Sequence, residues 1–146
     1  MSMKSGDTTV NAVRVISISD SHLGHRNVSV DQMVNGYKNM FKSLEDPSSI
    51  DFIVHGGDFF DTGLSLASGD VSVIQSFIRW LLLFCSKNGI RLRVLEGTPS
   101  HDRKQSRQFI VINDTLDDKR KADLKYISTL CIDREEEFGL NFLYVP

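Results

Sequence analysis

The chain has 146 residues, 40% of them hydrophobic and 25% charged, with a formal net charge of −2. That length and apolar share suit one domain with its own core. The near-neutral balance excludes a surface that attracts nucleic acid as a whole, so any such contact is local. The longest apolar run, WLLLFC at 80–85, is far shorter than the roughly 20 residues of a membrane helix. The opening MSMKSGDTTVNAVRV has no apolar signal core. A soluble, cytoplasmic protein without membrane contact is the expectation.

In chain order, residues 1–11 are polar and are expected to be disordered, with 12–146 forming one unit. VRVISIS at 13–19 is β-branched and apolar throughout, the pattern of a central strand buried on both faces. From Asp31 the apolar residues recur at three and four (Met33, Val34, Tyr37, Met40, Phe41, Leu44), which predicts a helix with Asp31 as N-cap and Pro47 beyond its end. DFIVHGGD at 51–58 reads as a second strand ending in two glycines. Asp70 to Lys87 reads as a helix apolar nearly all round, with Gly89 as C-cap. Such a helix is buried in a core or meets another subunit.

IRLRVLEG at 90–97 reads as a third strand, 103–116 as a mixed segment with a short helix, and 123–146 as shorter strands around a turn near Gly139. Strand alternating with helix predicts an α/β fold, a layered parallel sheet with flanking helices. Cys85 and Cys131 lie in apolar stretches without a CxxC partner and read as buried, reduced thiols.

Three strand ends carry acids and imidazoles: SDSHLG, HGGDFFD and GTPSHD. Loops at the carboxyl ends of parallel strands gather in one crevice, so Asp20, His22, Asp58, Asp61, Ser100, His101 and Asp102 are expected to meet. Alternate residues of an extended chain share a face, which would aim Asp20 and His22 at one point. Oxygen and imidazole donors without thiolate suit manganese, iron, zinc or magnesium. Two such ions roughly 3.5–4 Å apart can clamp a phosphate and acidify a water. Asp58, after Gly56 and Gly57, suits a bridging carboxylate, and His101 suits the proton donor to a leaving oxygen. His55, inside a strand, reads as a hydrogen-bonded core histidine. His25, in the first loop, could face substrate. Arg103, Lys104 and Arg107, or the cluster Lys119, Arg120 and Lys121, could meet a phosphate backbone.

DSH, GGDFFD and GTPSHD, in that order after predicted strands, resemble the D-x-H, G-D-x-x-D and G-N-H-D motifs of calcineurin-like metallophosphoesterases. Within that superfamily, ISDSHLGH, IVHGGDFFD and GTPSHDR are most similar to SbcD-type DNA repair nucleases, including phage recombination endonuclease subunits. The resemblance spans residues 13–146 and implies the amino-terminal part of a metallophosphoesterase-type domain. It implies two divalent ions, manganese foremost, with Asp20 and His22 as ligands of the first and Asp58 shared by both. It further implies that His101 is the catalytic acid, that Asp102 orients His101 or its loop, and that Asp61 sits behind the ligands.

Two departures from the family pattern stand out. Ser100 occupies the place of the asparagine that serves the family as a second-metal ligand, and a hydroxyl is a poorer donor than an amide oxygen. The family's later histidine and its G-H-x-H motif do not occur before Pro146; the four histidines are His22, His25, His55 and His101. The chain is therefore expected to be truncated, to hold about half of a two-metal site and to be inactive alone. The resembling nucleases act on DNA as homodimers with a coiled-coil SbcC-type ATPase subunit, and the same partners are expected here. Two alternatives stand beside the DNA nuclease: a phosphoesterase acting on nucleotides or phosphoproteins, and a non-catalytic module for dimerisation or partner docking.

Overall fold

A computed structural model describes residues 12–64 and 69–146; the segment expected to be disordered, 1–11, lies outside the described residues. Four parallel strands form one sheet in the order β1 (Val15–Ile18), β2 (Phe52–His55), β3 (Arg91–Leu95) and β4 (Leu124–Ile127). Helices α1 (Val30–Lys42), α2 (Gly69–Asn88) and α3 (Gln108–Asp114) supply the crossovers, and β5 (Cys131–Glu135) pairs antiparallel with β6 (Leu140–Tyr144). The α/β layered architecture expected from strand–helix alternation is thus what the chain adopts, with β4 as a fourth parallel strand.

Side-chain alternation sorts the sheet into two faces. Ile16, Ile18, Ile53, Leu92, Val94, Leu124 and Tyr126 join the helices in the main core. Phe52, Val54, Leu95 and Ile127 lie on the opposite face, under the hairpin residues Phe142 and Tyr144. The expectation of a β1 buried on both faces is corrected. β1 has a strand neighbour on one side only among the described residues, and its outward Val15 is 45% exposed. An all-apolar run predicts burial only where both faces are covered, and Val15 and Ser17 have no cover among the described residues.

α1 starts two residues earlier than expected. Ser29, not Asp31, is the N-cap, and its hydroxyl accepts from the Gln32 amide at 3.2 Å. Asp31 falls in the first turn, where its charge still suits the helix dipole. α2 passes the length and composition test for a membrane helix, which counting uninterrupted apolar residues had missed. In the fold it is the middle of the helical layer, with Ile74, Phe77, Ile78, Leu81, Leu82 and Cys85 buried. Phe77 stacks on Tyr37 of α1, on Phe59 and on Trp80. The apolar circumference is explained by packing on a sheet and two helices at once. Gly89 caps α2 in the left-handed region, at φ 69°.

Both cysteines are free. Burial pushes the Cys85 thiol up to about 12, so it is chemically quiet. Cys131 is half-buried under the hairpin rather than buried.

Between sheet and hairpin lies an ionic layer. Arg93 is 1% exposed and donates to Asp123 at 2.9 Å and to Glu135 at 2.7 Å, while Arg91 pairs with Glu137. Burial opposes its charge, yet the two carboxylates outweigh that and raise its pKa. Removing one partner of such a buried pair strands the other charge. Arg93→Ala should therefore lower stability by about 3–5 kcal/mol in urea unfolding. Arg120→Ala, which breaks only the exposed pair with Asp117, should change it by less than about 0.5 kcal/mol.

Candidate metal centre

The three loops at the carboxyl ends of β1, β2 and β3 converge. The first two are zipped together by backbone bonds: Gly56 N to Ile18 O, Asp20 N to Gly57 O, His22 N to Asp58 O, Leu23 N to Phe59 O and Asp61 N to Leu23 O, at 2.7–3.1 Å. The ladder continues past the strands, yet its residues turn sharply. Asp20, His22 and Asp58 all occupy the left-handed region, at φ 54°, 44° and 52°. Non-glycine residues adopt it rarely and at a cost, and such strain collects at functional sites. The expected extended alternation of Asp20 and His22 is corrected here: left-handed turns, not a pleat, bring the two together.

Glycines let the third loop approach. Gly57, at φ 107°, lies so close to Gly97 that a Cβ on Gly57 would stand 2.9 Å from the Gly97 Cα. A Cβ on Gly97 would overlap the Asp58 amide and carboxylate and stand 2.8 Å from Asp102 Oδ2. Asp58 is fixed from that loop: its Oδ1 accepts the Thr98 amide at 2.6 Å and the Thr98 hydroxyl at 3.0 Å. Ser100 stands 3.2 Å from that same hydroxyl, one side chain removed from Asp58.

The acids and imidazoles form two overlapping donor groups, Asp20–His22–Asp58 and His22–Asp61–His101, each with its donor atoms within 4.8 Å of one another. His22 belongs to both: Nε2 lies 3.8 Å from Asp20 Oδ1, and Nδ1 lies 3.2 Å from Asp61 Oδ1. The sequence set Asp61 behind the ligands; the structure places its carboxylate beside His22 and its backbone carbonyl on His101 Nδ1 at 2.7 Å. The two imidazoles meet edge to face at 4.6 Å.

Two observations fit this arrangement to a divalent cation. Among the described residues, no lysine or arginine pairs with Asp20, Asp58 or Asp61, whereas the buried Glu135 is matched by Arg93 and the buried Asp102 by backbone and hydroxyl donors. His22 Nδ1 is buried and makes no hydrogen bond, so its lone pair and the Asp61 oxygen beside it face the same unneutralised point. Asp20, His22, Asp58 and Asp61 are the residues that would hold metal, with His101 at their edge.

Of the two expected roles for Asp102, its hydrogen bonds hold the loop of His101 rather than the ring. Fully buried, it accepts the Phe60 amide at 2.9 Å, the Gly97 amide at 2.7 Å and the Ser106 hydroxyl at 3.0 Å. It ties the second and third loops to each other. His25 accepts a local bond from the Asn27 amide at 3.3 Å and joins neither donor group. Arg103 and Lys104 lie on the outer side of the third loop, exposed and both left-handed.

Beneath the ligands runs a polar chain that sequence reasoning missed in part. His55, 6% exposed, lies 2.7 Å from the Ser21 hydroxyl, which also accepts from Tyr37 at 2.8 Å. Ser21 sits between Asp20 and His22, so α1 and β2 together hold the first ligand turn from below. His55 as a hydrogen-bonded core residue was legible in its strand position. The hydroxyl of Tyr37, hidden in an apolar helical stripe, was not, and neither was the role of Thr98. Burial lowers the His55 pKa to about 4, against the pull of Asp20 and Asp58.

Oxygen and imidazole donors crowded at the carboxyl edge of a parallel sheet define a metal-dependent phosphoester hydrolase. The calcineurin-like phosphoesterase family model matches residues 13–125, and the chain belongs to that family. No curated protein matches the chain significantly.

In Mn²⁺ calorimetry the chain should show saturable binding that Asp20→Ala and Asp58→Asn each weaken at least tenfold. Gly97→Ala should do the same while also lowering the melting temperature, because it displaces Asp58 and Asp102 together. For His55, the folded value lies below the ordinary 6.5, so the unfolded chain binds the extra proton first. Metal-free stability should be full above pH 6.5 and decline by about 3 kcal/mol toward pH 4. Unfolding of His55→Gln across that window should show a shallower slope.

Proposed function

We propose that the domain hydrolyses phosphodiester bonds in DNA, as the nuclease part of a repair or recombination complex. The observation that supports this most is the double donor group built on His22, with His101 at its edge. When bound, two divalent ions supply charge neutralisation at the phosphate and a more acidic water. The chain's own residues supply position and protons. Asp20, His22 and Asp58 set one side of the phosphate site, and Thr98 holds Asp58 in register. His101 Nδ1 donates to the Asp61 carbonyl, which leaves Nε2 as the nitrogen available to substrate.

As a water oxygen attacks phosphorus in line and gives up a proton to solvent, the bond from phosphorus to the departing sugar oxygen breaks. That oxygen takes the Nε2 proton of His101. The ligand turns are held by left-handed strain and a buried polar chain, so the donors are set in place before substrate arrives. The wider nuclease reading carries the ATPase partner and the second copy of the chain with it. A dimer contact through the apolar face of α2 is disfavoured, because that face already packs against α1, α3 and the sheet.

A second reading, hydrolysis of nucleotides or phosphoproteins, shares the same donors. The test compares Mn²⁺-dependent degradation of linear DNA with hydrolysis of p-nitrophenyl phosphate and cyclic nucleotides, using the protein with any natural flanking sequence present. DNA degradation lost at least a hundredfold in His101→Ala, with Mn²⁺ binding retained, is the expected result. Turnover of the small esters alone would transfer the assignment to the second reading.

A further inference from the structure

A groove of about 1070 Å³ runs beside the metal centre. Its lining includes Arg103, Lys104 and Arg107 together with Ile110 and Tyr126. A smaller cavity at Asp20 and Asp58 shares Glu96, Gly97 and Pro99 with it, so groove and ligands meet at the third loop. We propose that this groove is the track for the nucleic-acid strand next to the scissile phosphate, with the three cations on its backbone. The proposal rests on the phosphodiesterase reading and names how that site takes a polymer.

Position sets these cations apart, since all three line one groove beside the metal centre. On the hairpin side Arg91, Arg93, Lys125 and Arg134 pair with carboxylates. In the second basic cluster of the sequence Arg120 pairs with Asp117 and Lys121 with Asp118, which leaves Lys119 alone outside an ion pair there among the described residues. Arg103, Lys104 and Arg107 form no ion pair among the described residues, although Glu96 lies in the same wall. The Glu96 carboxylate is engaged otherwise, accepting from the Lys104 amide at 2.7 Å and from the Tyr126 hydroxyl. That engagement raises the Tyr126 pKa, after burial, and keeps its hydroxyl protonated. The acid that could have neutralised the groove is therefore turned to holding its walls.

The backbone places the cations as well. Arg103 and Lys104 are consecutive left-handed residues, at φ 46° and 61°. The strain is held by the Lys104–Glu96 bond on one side and by Asp102, which anchors the loop, on the other. Arg103 also packs its guanidinium against Gly63, 3.3 Å from where a Cβ would stand. Small-molecule pockets span roughly 300–1,000 Å³, so a lone phosphate would leave this groove mostly empty. Three cations in one groove can take more than one phosphate, and Ile110 and Tyr126 offer a surface to a base.

The test is fluorescence anisotropy with a short labelled phosphorothioate oligothymidine in Mn²⁺, across a range of salt. Lys104→Gln with Arg107→Gln should weaken binding at least tenfold at low salt. It should also flatten the salt dependence of log K by about 0.7 per cation removed. Arg120→Gln with Lys121→Gln makes the same change in net charge at paired positions and should leave affinity within twofold. Melting temperature and Mn²⁺ affinity of the groove variant should match the unsubstituted chain, which separates lost contacts from lost folding. Equal weakening by both double variants, or none by the groove variant, would overturn the groove while leaving the hydrolase reading in place. Displacement of the oligonucleotide by inorganic triphosphate at equal phosphate concentration would overturn the strand assignment in favour of a free polyphosphate. Absence of Mn²⁺ binding by the unsubstituted chain would instead overturn the hydrolase reading, and the groove proposal with it.

Discussion

The functional edge of this domain depends on two loops approaching more closely than side chains allow. Gly57 and Gly97 meet backbone to backbone, and the space beside them is filled by the carboxylates of Asp58 and Asp102. Asp102, with no exposure, gathers an amide from the second loop and an amide and a hydroxyl from the third. A buried carboxylate is costly unless fully hydrogen-bonded. Its three donors therefore lock the loop spacing as firmly as they satisfy the charge. Asp58 inherits its position from that spacing, since its own anchor, Thr98, stands on the far side of the gap. His101 inherits its position too, held by a carbonyl of the second loop.

Charge is distributed with the same economy. On the hairpin side of the sheet Arg91 and Arg93 are matched by Asp123, Glu135 and Glu137, a layer sealed between strands. At the carboxyl edge the balance is left open among the described residues: Asp20, Asp58 and Asp61 pair with no lysine or arginine, and Arg103, Lys104 and Arg107 pair with no carboxylate. An edge that keeps opposite charges apart suits ligands that complete both sets. A divalent ion meets the first need and a polyanion the second.

The helical side explains how so small a sheet holds such loops rigid. α2 is covered on three sides, and its rings continue into Phe59 and Phe109 at the root of the second and third loops. From α1, Tyr37 reaches through the core to Ser21 and His55. The first ligand turn therefore rests on a dense aromatic layer rather than on solvent, and its left-handed residues stay where the backbone ladder puts them.

Much of this was legible in the residues themselves. The order of strands and helices follows from periodicity, and so does the conjunction of acids and imidazoles at three strand ends, because those patterns are local. What periodicity misjudged was context. The apolar run of β1 lies on an edge with one face open, and Asp31 yields the cap to Ser29 because only the latter hydroxyl reaches an unpaired amide. The sequence alone determined which chemistry the chain can carry: carboxylates and imidazoles without thiolates, at the carboxyl ends of parallel strands. Only the tertiary structure decided the direction of each group. It aimed Asp61 at His22 and Asp102 at the loops. It tied Asp58 to Thr98 and left Arg103, Lys104 and Arg107 unpaired. The physical reason is that a loop side chain points where its φ, its close neighbours and its hydrogen-bond donors send it. In this domain those donors come from positions 40 or more residues away.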